Sequence, residues 1–423
     1  MKVDMYLPAE PAREACADNW HVRVGLRTTA CFLAFVILAP FFADGEGDSG
    51  GQGNLLRQVV YAVIFVAALF CARIGQQPAV LLRLPATLLM TLAWFCVSIA
   101  WASNPAVAFR RLALTLLVIW SVFLLVDTVG YRGVVRSVRH ILALVLLMNF
   151  CAVLVTPEWA IHQSIANGDP SIVGAWRGVL MQKNFAGVAC ALTVIFFAFD
   201  ADDLKRVYRW IVIAGAAAFL LQTNSRTSMF VLLMSVSIGV LVRFYRPYYR
   251  WMWCVLLVLS APLIVFIAAE NMDALTAPFA DPDAFTGRVQ IWTALLHYAR
   301  DHLWLGSGYG SFWNAGEPHA LAFYTRGWVL NAISSGHSGF LDILVQTGLP
   351  GLLLAITAAL LAPVWTFMTQ ELAFPRCAGL LLALITFCFA QNFTESGLFD
   401  RDATVQVFLM IGIALLYAEA RKP

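Results

Sequence analysis

The sequence predicts an all-α polytopic membrane protein of about 12 transmembrane helices with one large outer loop, and three observations predict it. Of the 423 residues, 61% are hydrophobic and 13% charged. With a mean hydropathy of +0.76, that balance leaves too little charge to cover soluble domains of this length. The apolar residues fall into uncharged runs, bounded by charges or turn residues, that approach the roughly 20 residues a helix needs to cross a bilayer. Eighteen of the 28 Lys and Arg lie on alternate connections, the asymmetry that marks cytoplasmic loops. A net charge of +3 gives no reason to expect a nucleic-acid partner.

Taken in order, residues 1–27 are a cytoplasmic tail without the apolar stretch of a cleaved signal peptide, so the first span is expected to be an uncleaved anchor. Residues 28–268 hold spans one to nine, with cores at 28–43, 58–72, 84–102, 112–129, 141–156, 184–199, 208–222, 228–242 and 251–268. Residues 269–337 form the large outer loop, of a length that is usually functional. Within it, Thr286 is expected to cap a helix through Arg288, Ile291, Trp292, Leu295 and Tyr298 that ends at Gly306-Ser307-Gly308-Tyr309-Gly310. Residues 338–423 hold spans ten to twelve, at 338–362, 377–394 and 404–419, and a short cytoplasmic tail. Gln346-Thr347-Gly348-Leu349-Pro350-Gly351 predicts a kink in span ten. The nine cysteines include no Cys-x-x-Cys pair, which argues against a disulfide framework or a metal-ligand spacing.

Charges on the outer side oppose the insertion bias and need a reason. Arg177, Lys183 and Asn184 precede span six, Arg226 sits in the short turn before span eight, and Arg288 opens the loop helix; Arg110 and Arg111 start span four. Any one of these cations would serve equally well by reaching to lipid headgroups. As a set on one leaflet they suit a lipid diphosphate, because each charge-assisted bond to phosphate is worth about 1.5–3 kcal/mol. His337 is expected in the first turn of span ten, capped by Ser334 or Ser335, where the helix dipole favours the neutral imidazole a general base needs. His162, His297, His302 and His319 share that side, and residue chemistry does not choose among them. Asp342 stands out as an ionisable group inside a span core and is expected to pair with a neighbouring Arg. The Asp-x-Asp pairs Asp200/Asp202, Asp281/Asp283 and Asp400/Asp402 read as turn chemistry, and arginines can neutralise a diphosphate leaving group, so no metal is expected.

Four stretches resemble the O-antigen ligase family, whose shared domain also occurs in O-antigen polymerases and pilin-type O-oligosaccharyltransferases. They are Trp176-Arg177-Gly178 with Lys183-Asn184; Ser225-Arg226-Thr227; Gly287-Arg288 with Trp292 and Leu305 to Gly310; and His337 to Leu341 with Thr347 to Gly351. The likeness runs from about residue 170 to 395. It implies a multi-pass glycosyltransferase of the bacterial inner membrane, lipid-dependent, with its large loop and active site facing the periplasm. The implied donor is a glycan on undecaprenyl pyrophosphate and the implied acceptor a sugar hydroxyl of lipid A-core, giving lipopolysaccharide with inversion and without a cofactor. By the same likeness Arg177, Arg226 and Arg288 hold the pyrophosphate and His337 deprotonates or orients the acceptor.

Two departures bear on the choice within the family. The polymerase spacing of Arg, ten residues, then Gly is not met at Arg177, Arg226 or Arg288, and Ser338 follows the histidine where relatives commonly have Asn. The chain also stops at Pro423, shortly after span twelve. The spacing leans toward a ligase over an O-antigen polymerase, and the short end leans toward a ligase over a protein O-oligosaccharyltransferase. The reading from another class, a 12-span transporter or lipid flippase, calls for paired repeats and midplane charges, whereas the halves show no similarity and a single intramembrane carboxylate stands out.

Overall fold

The computed structural model describes residues 20–42, 54–163, 172–252, 287–315, 320–370 and 375–421. The ninth expected span and Thr286, Asp281, Asp283 and His319 lie outside them. Among the described residues the chain is helical, with one isolated antiparallel bridge, Ile161 to Trp176. Apolar runs become helices because a helix satisfies its own N–H and C=O groups where no water can.

The main helices are α1 (Trp20–Phe42), α2 (Leu55–Cys71), α3 (Ala86–Ser98), α4 (Pro105–Val155), α5 (Lys183–Ala198), α6 (Arg206–Gln222), α7 (Arg226–Leu241), α8 (Arg288–Asp301), α9 (Gly339–Ile356), α10 (Ala362–Thr369), α11 (Pro375–Gln391) and α12 (Thr404–Ala420). Among the described residues, three stretches are long and apolar enough to cross a membrane: Trp20–Leu38, Pro105–Val155 and Gly339–Thr369. Shorter apolar helices, α2, α5, α7 and α12 among them, pack around these, and the protein is a helical membrane protein. Each expected span within the described residues falls on a helix.

The expected connection between spans four and five is itself helical. A single residue, Gly130 at φ 74° and ψ 168°, breaks α4 there. Arg139, in this stretch, is buried and ties the end of α5 down through Phe196 O (2.9 Å), Phe199 O (3.1 Å) and Asp203 Oδ1 (3.0 Å). Nor is Asp342 alone as a carboxylate within a span: Asp127 in α4 pairs with Arg83 at 2.7 Å.

At the centre, α11 packs against both α7 and α12, and α12 packs against α4. Gly239 and Gly379 let α7 and α11 approach backbone to backbone, since a Cβ on either would lie 2.7–2.9 Å from the other's carbonyl oxygen. The expected kink in α9 is present at Gly348 (φ 69°, ψ −176°). There Leu349 N, released from the helix, donates to Leu303 O at 2.7 Å, the re-satisfaction a broken membrane helix requires.

One end of this bundle is organised around two irregular segments. The Gly-rich loop wedges between α3, α4 and α9: Ser307 N bonds Val345 O (2.9 Å), Tyr309 N bonds Ser98 Oγ (3.0 Å) and Gly310 N bonds Gln346 Oε1 (2.7 Å). Gly306, Gly308 and Gly310 adopt φ of 62°, 89° and 72°, which their motif positions require. The second segment, residues 392–403, joins α11 to α12 and is bonded by residues from the first turns of α2 (Arg57), α5 (Asn184), α7 (Thr227) and α9 (Gly339). Several positive helix ends therefore converge at one end of the molecule.

Candidate active site

Glu395 sits at the middle of that end. Its Oε1 accepts from Arg288 Nη2 and from Asn184 Nδ2, both at 2.8 Å, while its Oε2 lies 4.0 Å from His337 Nδ1. Arg288 heads α8 behind Gly287, whose φ of 77° starts the helix, and it also donates to Thr394 O. Asn184 belongs to the first turn of α5. Burial pushes the Glu395 carboxyl up, but His337 and Arg288 more than offset this and hold it below the usual carboxylate range.

His337 stands two residues before α9, not in its first turn. The N-cap position is Ser338, where Ser334 or Ser335 had been expected, and Ser338 makes no side-chain capping bond. His337 takes a φ of +48°, a left-handed conformation that His adopts more readily than most side chains. The preceding residue is held from two sides. Gly336 N donates to Asp342 Oδ1 (3.0 Å) and Gly336 O accepts from Trp292 Nε1 (3.1 Å). Asp342 Oδ1 also accepts from Trp313 Nε1 at 2.7 Å. Asp342 thus binds an indole and a backbone amide where an Arg partner had been expected.

The remaining cations lie in two other places. Arg177 donates to Trp159 O (2.7 Å) and Met181 O (3.2 Å) and lies over the Trp159 ring at 5.1 Å. Burial, then the charges of Arg177 and Lys183, hold His162 below its ordinary pKa. Arg226 heads α7 with its side chain exposed, on the turn whose Thr227 and Ser228 bond Thr394 (3.1 Å) and Gln391 (3.2 Å). Asn184, Arg288 and His337 are thus brought together directly, and Lys183 is tied to them as the neighbour of Asn184.

Sequence reasoning missed Glu395, which it had left just beyond the edge of span eleven. The available signal was the polar run Gln391-Asn392-Phe393-Thr394-Glu395-Ser396 following an apolar stretch. It also left Arg110 and Arg111 without a role. Arg111 Nη1 donates to Gly310 O (2.8 Å) and Trp313 O (2.6 Å), so it holds the Gly-rich loop. The carboxylates weighed as a metal pair each face an arginine: Asp400 pairs with Arg401 at 2.9 Å, and Asp402 takes both arms of the Arg57 fork. Burial raises Asp400, yet Arg401, Arg57 and Arg111 bring it below the usual range.

Residues 210–356 match the family profile described as O-antigen ligase. Over that stretch the chain is similar to the O-antigen ligase domain. No curated protein matches it. The O-antigen ligase match begins in α6 and ends with α9, a shorter stretch than the 170–395 expected from the motifs. It contains Arg226, Arg288, Trp292, His337 and Asp342, and leaves out Arg177, Lys183, Asn184 and Glu395. The match supports a membrane enzyme of glycosyltransferase type, a class that works on lipid-linked glycans and lipid acceptors.

Proposed function

We propose that this protein is an O-antigen ligase of the bacterial inner membrane. It transfers a glycan from undecaprenyl pyrophosphate to a sugar hydroxyl of lipid A-core at a site facing the periplasm, with both termini cytoplasmic, and completes lipopolysaccharide. The observation that carries this reading is the gathering of Arg288, Asn184 and His337 on Glu395 at the end of the bundle where helix N-termini converge.

With Nδ1 turned toward Glu395, Nε2 of His337 is left for the acceptor hydroxyl. The hydroxyl proton passes to that nitrogen while the oxygen attacks the anomeric carbon from the face opposite the diphosphate, inverting it. The bond to the diphosphate oxygen breaks and undecaprenyl pyrophosphate departs as the anion, with Arg177, Arg226, Arg288 and Lys183 supplying the positive field. Glu395 faces the imidazolium that forms and keeps Arg288 in place before substrate arrives. General-base help of this kind is worth about 10²–10⁴ in rate, and positioning and leaving-group stabilisation supply the rest. No metal is required, because guanidinium groups take up the charge of the leaving group.

Acceptor choice is the decisive experiment. Purified protein given a lipid-diphosphate glycan should join it to lipid A-core, not to a second donor glycan and not to a pilin-type protein. Transfer to the second glycan would make it a polymerase, transfer to protein an oligosaccharyltransferase, and movement of lipid without any new glycosidic bond a flippase.

A further inference from the structure

After α8 the chain passes through Leu303-Trp304-Leu305, whose side chains are 38%, 66% and 49% exposed. Their backbone is held on the other side, against α9. Leu303 O accepts from Leu349 N (2.7 Å), and Ser307 N donates to Val345 O (2.9 Å). An added Cβ at Gly348 would overlap the Trp304 carbonyl, and one at Gly306 the Gln346 carbonyl, so the two backbones lie directly on each other. With the main chain committed to α9, the three apolar side chains turn away from the bundle.

The level at which they do so is set by the helices they touch. The stretch Gly339–Thr369 has 31 residues, about 46 Å of helix against about 30 Å of hydrocarbon. With the excess shared between both sides, Gly348, about 13 Å from Gly339, lies about 5 Å beneath the acyl boundary at the His337 end. α3 brings two tryptophans to the same level. Trp94 Nε1 donates to Thr347 O (3.0 Å) and Trp101 Nε1 to Leu305 O (2.9 Å), with their rings 5.8 Å apart. Val97, between them in sequence, is itself exposed. Tryptophan collects where headgroups meet acyl chains, because its ring favours the apolar side and its N–H a polar partner. The chain changes polarity at this point too: Arg300, Asp301 and His302 are exposed immediately before the apolar triplet.

We propose that Leu303-Trp304-Leu305 enters the bilayer on the side nearer His337, with the Trp304 indole at the headgroup–acyl boundary, and so anchors the segment after α8 to lipid. Sequence alone assigns these residues to the outer loop; their bonds to the kink of α9 bring them down to the membrane. α8 is then fixed at both ends, by lipid beyond Asp301 and by the bond from Arg288 to Glu395. This anchoring holds whichever glycan and acceptor the protein uses.

The test compares wild type with Trp304→Phe, both full length and in phosphatidylcholine nanodiscs. Subtracting the variant's tryptophan emission from that of wild type isolates Trp304. Acyl chains brominated near the glycerol end should quench this difference about twofold or more, and iodide in the water should leave it nearly unchanged. Quenching by iodide without quenching by bromolipid would put Trp304 in water. Quenching by neither would put it beneath protein, a second copy included; either result overturns the proposal. Benzoylphenylalanine in place of Leu305 gives a second reading that needs no subtraction. Irradiation should join it to lipid, and adducts to protein alone, or no adduct at all, would overturn the proposal.

Discussion

Arg288 and Glu395, separated by 107 positions in the chain, share a hydrogen bond of 2.8 Å between Nη2 and Oε1, and the same carboxylate faces the His337 imidazole. Through this pair the opening residue of α8 is locked to the connection between α11 and α12. The side chain with the strongest claim to a departing diphosphate is therefore already oriented beside the proposed base.

If His337 takes the acceptor proton, His337→Asn should lower turnover by about 10²–10⁴. Asn is the informative replacement, because it tolerates the left-handed backbone at φ +48° and so leaves the turn intact. Lipopolysaccharide formed per minute by purified protein, read beside its melting temperature, checks this; full turnover in a folded variant refutes the assignment.

The Arg288–Glu395 pair also carries a pH dependence of stability. Glu395 is held below its unfolded value, so its contribution is complete above the ordinary Glu range near pH 4.3 and is lost as pH falls through the lower folded value. Melting temperature measured from pH 7 to 3 should fall on acidification in wild type and fall less steeply across that window in Glu395→Gln. Parallel curves would show that the pair contributes nothing.

Trp292 and Asp342 hold Gly336 from opposite polarities, and Trp292→Phe removes one of those bonds while keeping the ring. About 1 kcal/mol is at stake, which predicts roughly fivefold lower kcat with little change in KM. Combined with Asp342→Ala, the losses should fail to add by about 0.5–3 kcal/mol, since both act on one peptide group. Strict additivity in a double-mutant cycle would mean that they do not position His337 together.

The Gly-rich loop predicts a purely structural defect. At Gly306 the backbone is left-handed and an added Cβ would lie 2.5–2.7 Å from the backbone of Val345 and Gln346. Gly306→Ala should cost on the order of 1–3 kcal/mol, visible as a lower melting temperature. An unshifted melt would show that the loop has another conformation within reach.

Part of the candidate site, Asn184, Arg288 and His337, was legible in the chain because its cues are local. The cations Arg177, Lys183, Arg226 and Arg288, expected on the outer side, stood out against the insertion bias, and the Gly-Leu-Pro-Gly run in α9 foretold its kink. What was missed depended on partners distant in sequence. Glu395 resembles any carboxylate beyond a span until Arg288 and Asn184 are seen to bond it. Asp342 was expected to seek an Arg, but the fold delivers Trp313 and the Gly336 amide instead. His337 moved out of the first turn because the helix starts at Gly339, a boundary that one or two residues of pattern do not decide.

Composition and periodicity by themselves determined that the chain is helical and suited to lipid, since 61% hydrophobic residues in uncharged runs leave no other way to satisfy the backbone in a bilayer. Its motifs pointed to the family whose profile matches residues 210–356. Only the tertiary structure decided which charges meet: Glu395 with Arg288, and Asp402 with Arg57. The physical reason is range. Helix formation is settled within a few turns of chain, whereas pairing between side chains hundreds of positions apart is set by how the helices pack.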